Sequence, residues 1–559
     1  MADGAISPVR WLFGPGPSGP DGHLGARWIF LRALGLIYYS AFFSLLFQVT
    51  GLIGPNGILP ANDYLRYVAQ HLGTVERYWY APTVFWLSSS DLALKLMCWM
   101  GMAAAVLLTI NLWPRAMLLV CFVSYLSFVA ALQDFSSYQS DGMLLEAGFI
   151  ALFFAAPGLR SGLGRSHPPS RAALFLLQWE WFRIYFESGC VKLLSGDPQW
   201  RHFTAMDQYY QNGPLPTWIG WYAQHLPHWF HAFSVGLTLG VELGIVFLMF
   251  VPWRRLRALA FLIVTPFEIG IILTANYTFL NYLVLSLGFL LLDDGALALA
   301  RPRSIGEWLK SRLAGTSLAK LPGEAVLNGD GGGRLVRLRQ HLSAIRLAIT
   351  AVMLSWIFYV TSVLLLWMFL PHLPLPTQPV AALEPLRIAN RYGLFAVMTR
   401  ARYEIEFQGS EDGKTWSAYP FRYKPQNPAK PPGIYAPYQP RFDWNLWFAS
   451  LDNWRDNLWV AHTEELLLIN DPEVLSLFAA NPFAKKAPTQ IRAVLWQYWF
   501  TDMATKRQQG LWWRRQELGL YAPALERHPD GSMGVTAMPG APPNLEPSFH
   551  TETLRTIDD

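Results

Sequence analysis

Glu180, Arg183, Glu187 and Lys192 lie within one long apolar segment, in the run QWEWFRIYFESGCVKLLSGDPQWRHFTAMDQYYQN from Gln178 to Asn212. On a helix the first three stand at i, i+3 and i+7 and share one face. Lys192 falls roughly 140° around from Glu187 at 100° per residue. A charge at the centre of a membrane helix costs roughly 2.5–3.5 kcal/mol, so three unpaired ones would cost on the order of 8–10 kcal/mol. The face is therefore expected to point into a bundle, with Arg183 held between the carboxylates of Glu180 and Glu187. Two chemistries fit this pattern. One is a structural ion network that fixes helix packing. The other is a polar site at the membrane surface, with Lys192 at its mouth beside the Gly196-Asp197-Pro198 turn and Trp200, where a desolvated lysine could act as a base.

Other ionisable residues recur in or near apolar segments. Asp141, Glu146, Glu242 and Glu268 could balance Arg32, Lys95, Arg183 and Lys192 inside the bundle. His202, His225, His228 and His231 follow the charged segment, but only the last two are closely spaced and no HExxH occurs, so no metal centre is expected. The absence of a GxSxG elbow, a Walker loop and a dinucleotide fingerprint disfavours hydrolase and nucleotide chemistry. The three cysteines, Cys98, Cys121 and Cys190, sit in apolar segments without CxxC spacing and read as small buried hydrophobes.

The elements that must hold these residues follow from composition. The 559 residues are 52% hydrophobic and 15% charged, with 25 Trp, 23 Tyr and 35 Phe. Soluble domains carry about 25% charged residues, and Trp and Tyr concentrate at bilayer interfaces, so the chain reads as a polytopic membrane protein. A net charge of +5 without a basic, aromatic groove gives no support to a nucleic-acid partner. The first 27 residues lack a continuous apolar run, so no cleaved signal peptide is expected and they read as a cytoplasmic segment.

About nine spans are expected, over residues 28–49, 91–113, 114–133, 143–156, 172–194, 233–252, 256–274, 277–292 and 344–370. Residues 64–79 suit an interfacial amphipathic helix, and Pro266 followed by Glu268 marks an expected kink or break in the seventh span. The loops after spans two, four, six and eight carry Arg115; Arg160, Arg165 and Arg171; Arg254, Arg255 and Arg257; and a basic run from Arg301 to Arg339. By the positive-inside rule the N-terminus is cytoplasmic, and segments 50–90 and 195–232 and everything after residue 370 face the exterior.

Residues 371–525 are soluble in character and read as a mixed, β-rich extracytoplasmic domain. A hairpin is expected at 403–408 and 416–423 around SEDGK, a short helix in RFDWNLWFASLDNW, and a helix from Asp471-Pro472 to about Ala480. Residues 491–498 suit a buried strand and 512–517 an edge strand or helix. From Glu526 to 559 the composition suggests disorder. Arg441 and Asp443, beside Trp444, Trp447 and Phe448, read either as an exposed partner-binding surface, since Trp and Arg dominate hot spots, or as packing onto the bilayer surface.

SDGMLLEAGF at 140–149, WFRIYFESGCVKLLSGDPQWRHFTAMDQYYQNGPLP at 181–216 and YQPRFDWNLWFASL at 438–451 occur in that order. Together they resemble the lipase maturation factor family, with the likeness running from about Trp28 to Tyr521. The resemblance implies a polytopic protein, like the family's endoplasmic reticulum members, that helps newly made lipases fold and leave. It implies a chaperone-like role without catalysis, in which the outer domain holds a client lipase beside membrane lipids. The lack of a retrieval tail, and a lone sequon at Asn276-Tyr277-Thr278 close to a span, suggest a bacterial relative in the inner membrane with its client domain in the periplasm. In a eukaryote the endoplasmic reticulum membrane would be expected instead. GCVKLLSGDPQW is more distantly similar to the segment of the vitamin K-dependent carboxylase family that carries its lysine base. There the lysine is the second of an adjacent pair, whereas here Lys192 is followed by Leu193. That similarity implies an alternative: a membrane enzyme using Lys192 as base, with Arg183 and Glu187 as supports, at an exterior-facing pocket for a quinone or lipid.

Overall fold

Residues 7–136, 138–299 and 330–540 are described by the computed structural model, the side chains of 330–340 excepted. The long helices are α1 Leu24–Leu46, α2 Asp91–Thr109, α3 Pro114–Ala131, α4 Gln139–Phe154, α5 Arg171–Leu194, α6 His228–Leu243, α7 Arg254–Thr274, α8 Leu280–Gly288 and α9 Asp330–Phe369. Among the described residues six stretches are long and apolar enough to cross a membrane: Gly19–Leu46, Asp91–Thr109, Pro114–Ala131, His228–Phe250, Arg254–Thr274 and His341–Phe369. The other three expected spans form helices that miss this standard for separate reasons. α4 has 16 residues and α8 has 9, short of the roughly 20 that cross a bilayer. α5 has 24 residues but carries the buried charges.

The loops gather at two ends of this bundle. At one end Arg27 donates to the carbonyls of Leu163 and His167 at 2.7 and 2.8 Å, Asn111 to Gly162 O, Arg171 to Trp11 O, and Arg254 to Asp21 and Asp293. The N-terminal segment and the connections after α2, α4, α6 and α8 thus meet there. At the other end Gln48 donates to Gln439 O, Arg441 to Phe135 O, and the His462 ring bonds Ile58 O. The C-terminal region therefore packs on the end away from the arginine-rich connections.

That region contains strands β1 Arg402–Ser410, β2 Ser417–Ala418, β3 Gln490–Phe500, β4 Trp513–Leu520, β5 Ala524–Arg527 and β6 Met533–Ala537. They form one antiparallel sheet in the order β2-β1-β3-β5-β6, with β4 also pairing β3. Ile405 opposes Leu495, and the buried ring of Phe407 packs on Phe421 and Phe478. Helix α10, Arg441–Ala449, packs between β1 and the Gln133–Ser136 turn of the bundle.

Several local expectations change. The end of β5 and all of β6 occupy residues expected to be disordered, because Leu525 and Glu526 find pairing partners in both β3 and β6; residues 541–559 lie outside the described ones. Asp471 caps a helix as expected, accepting from Glu473 and Val474 N–H, but that helix ends after one turn at Leu475. No break forms at Pro266, which lies inside the single helix α7. The amphipathic stretch divides at Gly73 into Ala61–His71 and Glu76–Tyr80.

Candidate functional site

Helix α5 begins where Ser170 Oγ accepts the Ala173 N–H at 3.2 Å, a side-chain cap that satisfies one orphan donor of the first turn. Glu180, Arg183, Glu187 and Lys192 are all buried along it. Arg183 does not sit between Glu180 and Glu187. Its Nη2 pairs with Glu146 on the facing α4, Nη1 donates to Asn390 O at 2.6 Å, and Glu187 stands 3.8 Å away. Among the described residues Glu180 forms no ion pair with Arg183. Sharing a face brings side chains near one another, but the guanidinium reaches across the interface to the carboxylate opposite it.

A strap, residues 388–402, joins the helices to the sheet and takes up most of these polar groups. Glu146 Oε2 accepts from Asn390 N at 2.9 Å and from Tyr392 OH at 2.8 Å. Glu187 Oε2 accepts from Tyr392 N at 2.6 Å. Asp197 caps Gln199 N and accepts Met398 N at 2.8 Å, and Trp200 Nε1 donates to Phe395 O at 3.0 Å. Arg402 ends the strap, donating to the carbonyls of Gln211 and Pro214 and pairing with Glu404. Asp197 and Trp200, expected at an open mouth, are buried against this strap instead. Asn390, Tyr392 and Arg402 carry no sequence signal that separates them from an ordinary polar connection.

The surface expected around Arg441 is turned inward. Arg441 grips Asp141 through both carboxylate oxygens at 2.8 and 2.9 Å and donates to Phe135 O at 2.6 Å and Tyr125 OH at 3.1 Å. Bidentate pairing of this kind is strong and directional. Asp443 accepts the backbone N–H groups of Tyr423 and Lys424, and burial pushes its carboxyl up to about 6. Trp444 and Trp447 are 5% and 7% exposed, and only Phe448, at 44%, faces outward. Four of the five residues expected to form an exposed partner-binding face are thus buried in this structure. Arg441, with the Trp444 ring packed beside that of Tyr138, fastens the C-terminal region to the bundle, whereas Asp443 bonds within that region.

Lys192 points the other way around α5, as its angular offset requires. Its Nζ donates to Glu242 Oε1 on α6 at 2.8 Å, to Leu394 O at 3.1 Å and to Ser188 O at 3.3 Å. Nearby on α7, Glu268 accepts from Tyr185 OH and from Asn281 Nδ2 at 2.8 Å. These groups line the polar end of a cavity of about 280 Å³ with otherwise apolar walls. Arg183, Glu187 and Glu146 are not among its lining residues. Among the described residues no three His, Cys, Asp or Glu come together as a metal site; His225 bonds the carbonyls of Trp221 and Thr501 through its two ring nitrogens. The three cysteines are free and buried.

Residues 25–299 match the family model described as "Lipase maturation factor transmembrane domain", and residues 388–523 match "Lipase maturation factor C-terminal domain". The second match begins at the strap. Lipase maturation factor 2 of Homo sapiens is 32% identical over 89% of this chain and 82% of its own length. Lipase maturation factor 1 of Bos taurus is 31% identical over 90% of this chain and 89% of its own length. No solved structure matches. With both domains matched in order and identity held across nearly the whole chain, this membrane protein belongs to the lipase maturation factor family.

Proposed function

We propose that the protein is a membrane-embedded maturation factor that assists exported lipases, or related exported hydrolases, to fold on the extracytoplasmic side. In this reading all of α1–α9 cross the membrane, and the sheet domain works in the bacterial periplasm, or in the lumen of the endoplasmic reticulum in a eukaryote. The chain acts as a chaperone rather than an enzyme. The observation that carries the reading is family membership through both domains, in relatives named for lipase maturation. The geometry is in keeping with it: the bundle holds the sheet domain through the buried Arg441–Asp141 pair at the end away from the basic loops. Deleting the gene in its own host should lower exported lipase activity at unchanged transcript, and restoring the full chain should recover it. Unchanged export, with no exported protein captured on the full-length chain by crosslinking in intact membranes, would remove this reading.

One observation favours a second reading, that of a membrane enzyme: Lys192 borders a cavity. Arg183 and Glu187 would not be its supports, since they lie outside that cavity. Lys192→Met, compared at equal membrane level, separates the two readings. Export stays near normal for a chaperone and is abolished for an enzyme that needs this amine.

A further inference from the structure

The cavity beside Lys192 is asymmetric in what its polar groups still lack. All three N–H bonds of Lys192 have acceptors, in Glu242 Oε1, Ser188 O and Leu394 O. Both oxygens of Glu268 have donors, in Tyr185 and Asn281. Ser188, Ser234, Thr238 and Thr274 give their hydroxyl protons to backbone carbonyls, and Trp200 gives its N–H to Phe395 O. Glu242 Oε2 is left with no partner, although the residue is only 7% exposed and lines the cavity. A buried carboxylate oxygen without a donor costs more than a neutral group would. Glu242 Oε2 thus asks for a hydrogen-bond donor, and the Lys192 ammonium has no N–H left for an acceptor.

The walls suggest the route by which such a molecule arrives. α6 packs on α5, whereas α7 packs on α8, on the helix Trp218–Gln224 and on the Ile245–Phe250 turn. Leu237 of α6 and Pro266 and Gly270 of α7 line the cavity, yet all three are exposed on the outer surface of their helices. Both helices lie in stretches apolar enough to cross a membrane, so this opening faces hydrocarbon rather than water. At about 280 Å³ the space lies near the lower end of the roughly 300–1,000 Å³ of small-molecule sites. It suits a head and the first part of one chain, with the rest of the chain left in the bilayer.

We propose that this cavity binds a single membrane amphiphile whose head is an uncharged hydroxyl donor, taken in sideways between α6 and α7 and held by its O–H on Glu242 Oε2. A phosphate head would meet two carboxylates and no uncommitted cation. A quinone or ester head has acceptors only and would leave Glu242 Oε2 unsatisfied. The proposal does not depend on the client.

The full-length protein in phosphatidylcholine nanodiscs would be photolabelled with octadecanol carrying a diazirine in its chain, in parallel with the corresponding methyl ether. A hydrogen bond to a charged group contributes about 1.5–3 kcal/mol, so the alcohol should label α5–α8 peptides about tenfold or more above the ether. A Cβ added at Gly270 meets nothing within 4 Å, so Gly270→Phe, and Leu237→Trp from the opposite rim, should each reduce that labelling to background. Equal labelling by alcohol and ether overturns the donor assignment, as does displacement by decylubiquinone as effective as displacement by unlabelled octadecanol. Unchanged labelling in both well-folded rim variants overturns the lateral route. If either variant fails to fold, the alcohol-to-ether ratio on the unaltered chain still decides the site.

Discussion

Asp141–Arg441 and Glu242–Lys192 are both buried pairs of opposite charge, and they do different work. Arg441 reaches from the sheet domain into the bundle and meets Asp141, Tyr125 and Phe135 O, with both Asp141 oxygens engaged. Glu242 has one oxygen engaged and the other turned to a cavity. In the first pair both carboxylate oxygens and both terminal guanidinium nitrogens are engaged across the two domains, so it fastens one domain to the other. The second is closed on the lysine side only, and so retains the capacity to bind. Burial alone therefore does not separate a fastening from a site. What separates them is whether the carboxylate is fully engaged by protein or keeps an oxygen turned to a cavity.

The largest effect is expected on the closed side. Arg441→Met leaves Asp141 buried and uncompensated, which should cost about 3–5 kcal/mol. A thermal melt of the solubilised full chain, with protease sensitivity of residues 388–402, would read it; a loss under 1 kcal/mol would mean that the contact does not hold the domains together. Trp444→Ala should lower stability by a similar 3–5 kcal/mol, as for a buried indole. If it weakened client capture while leaving the melt unchanged, the side chain would have to be accessible after all.

A smaller effect on the same side depends on pH. The folded-state value of Asp443 is raised from 3.8 to about 6. The folded chain therefore holds a proton where the unfolded chain has released it. The stability this contributes is full below about pH 4 and lost as the pH rises through 6, amounting to at most about 3 kcal/mol. Asp443→Asn should flatten the melting temperature between pH 4 and 6; an unaltered slope would assign that dependence to other groups.

The smallest loss is expected at the cavity. Lys192→Met strips Glu242 of its partner, but the carboxylate borders a cavity that a polar head can occupy, so about 1–2 kcal/mol is expected rather than the cost of a sealed charge. A loss equal to that of Arg441→Met would erase the difference between the two regions.

Much of the frame was legible in the chain. Helix-length apolar runs, the alternation of basic loops, the capping Asp471-Pro472 and the apolar, aromatic run within β3 are local or periodic features, and each depends on near neighbours in sequence. Family membership was legible for a related reason, since three long motifs survive in order. The number of crossings was less so, because α4 and α8 are short and α5 is charged, and only their neighbours make such helices tolerable in a bundle.

The sequence by itself determined that charges would be buried on α5, since an apolar segment that long cannot leave them in lipid. It also determined that Lys192 would face away from Glu187, by the helix repeat. Tertiary structure alone decided the partners: Glu146 rather than Glu180 for Arg183, Asp141 for Arg441, Glu242 for Lys192, and a strap through Asn390 and Tyr392 that no local pattern marks. The physical reason is distance along the chain. An ion pair closed across 37, 50 or 300 residues depends on how whole helices are juxtaposed, and that leaves no periodic trace in either of the segments it joins.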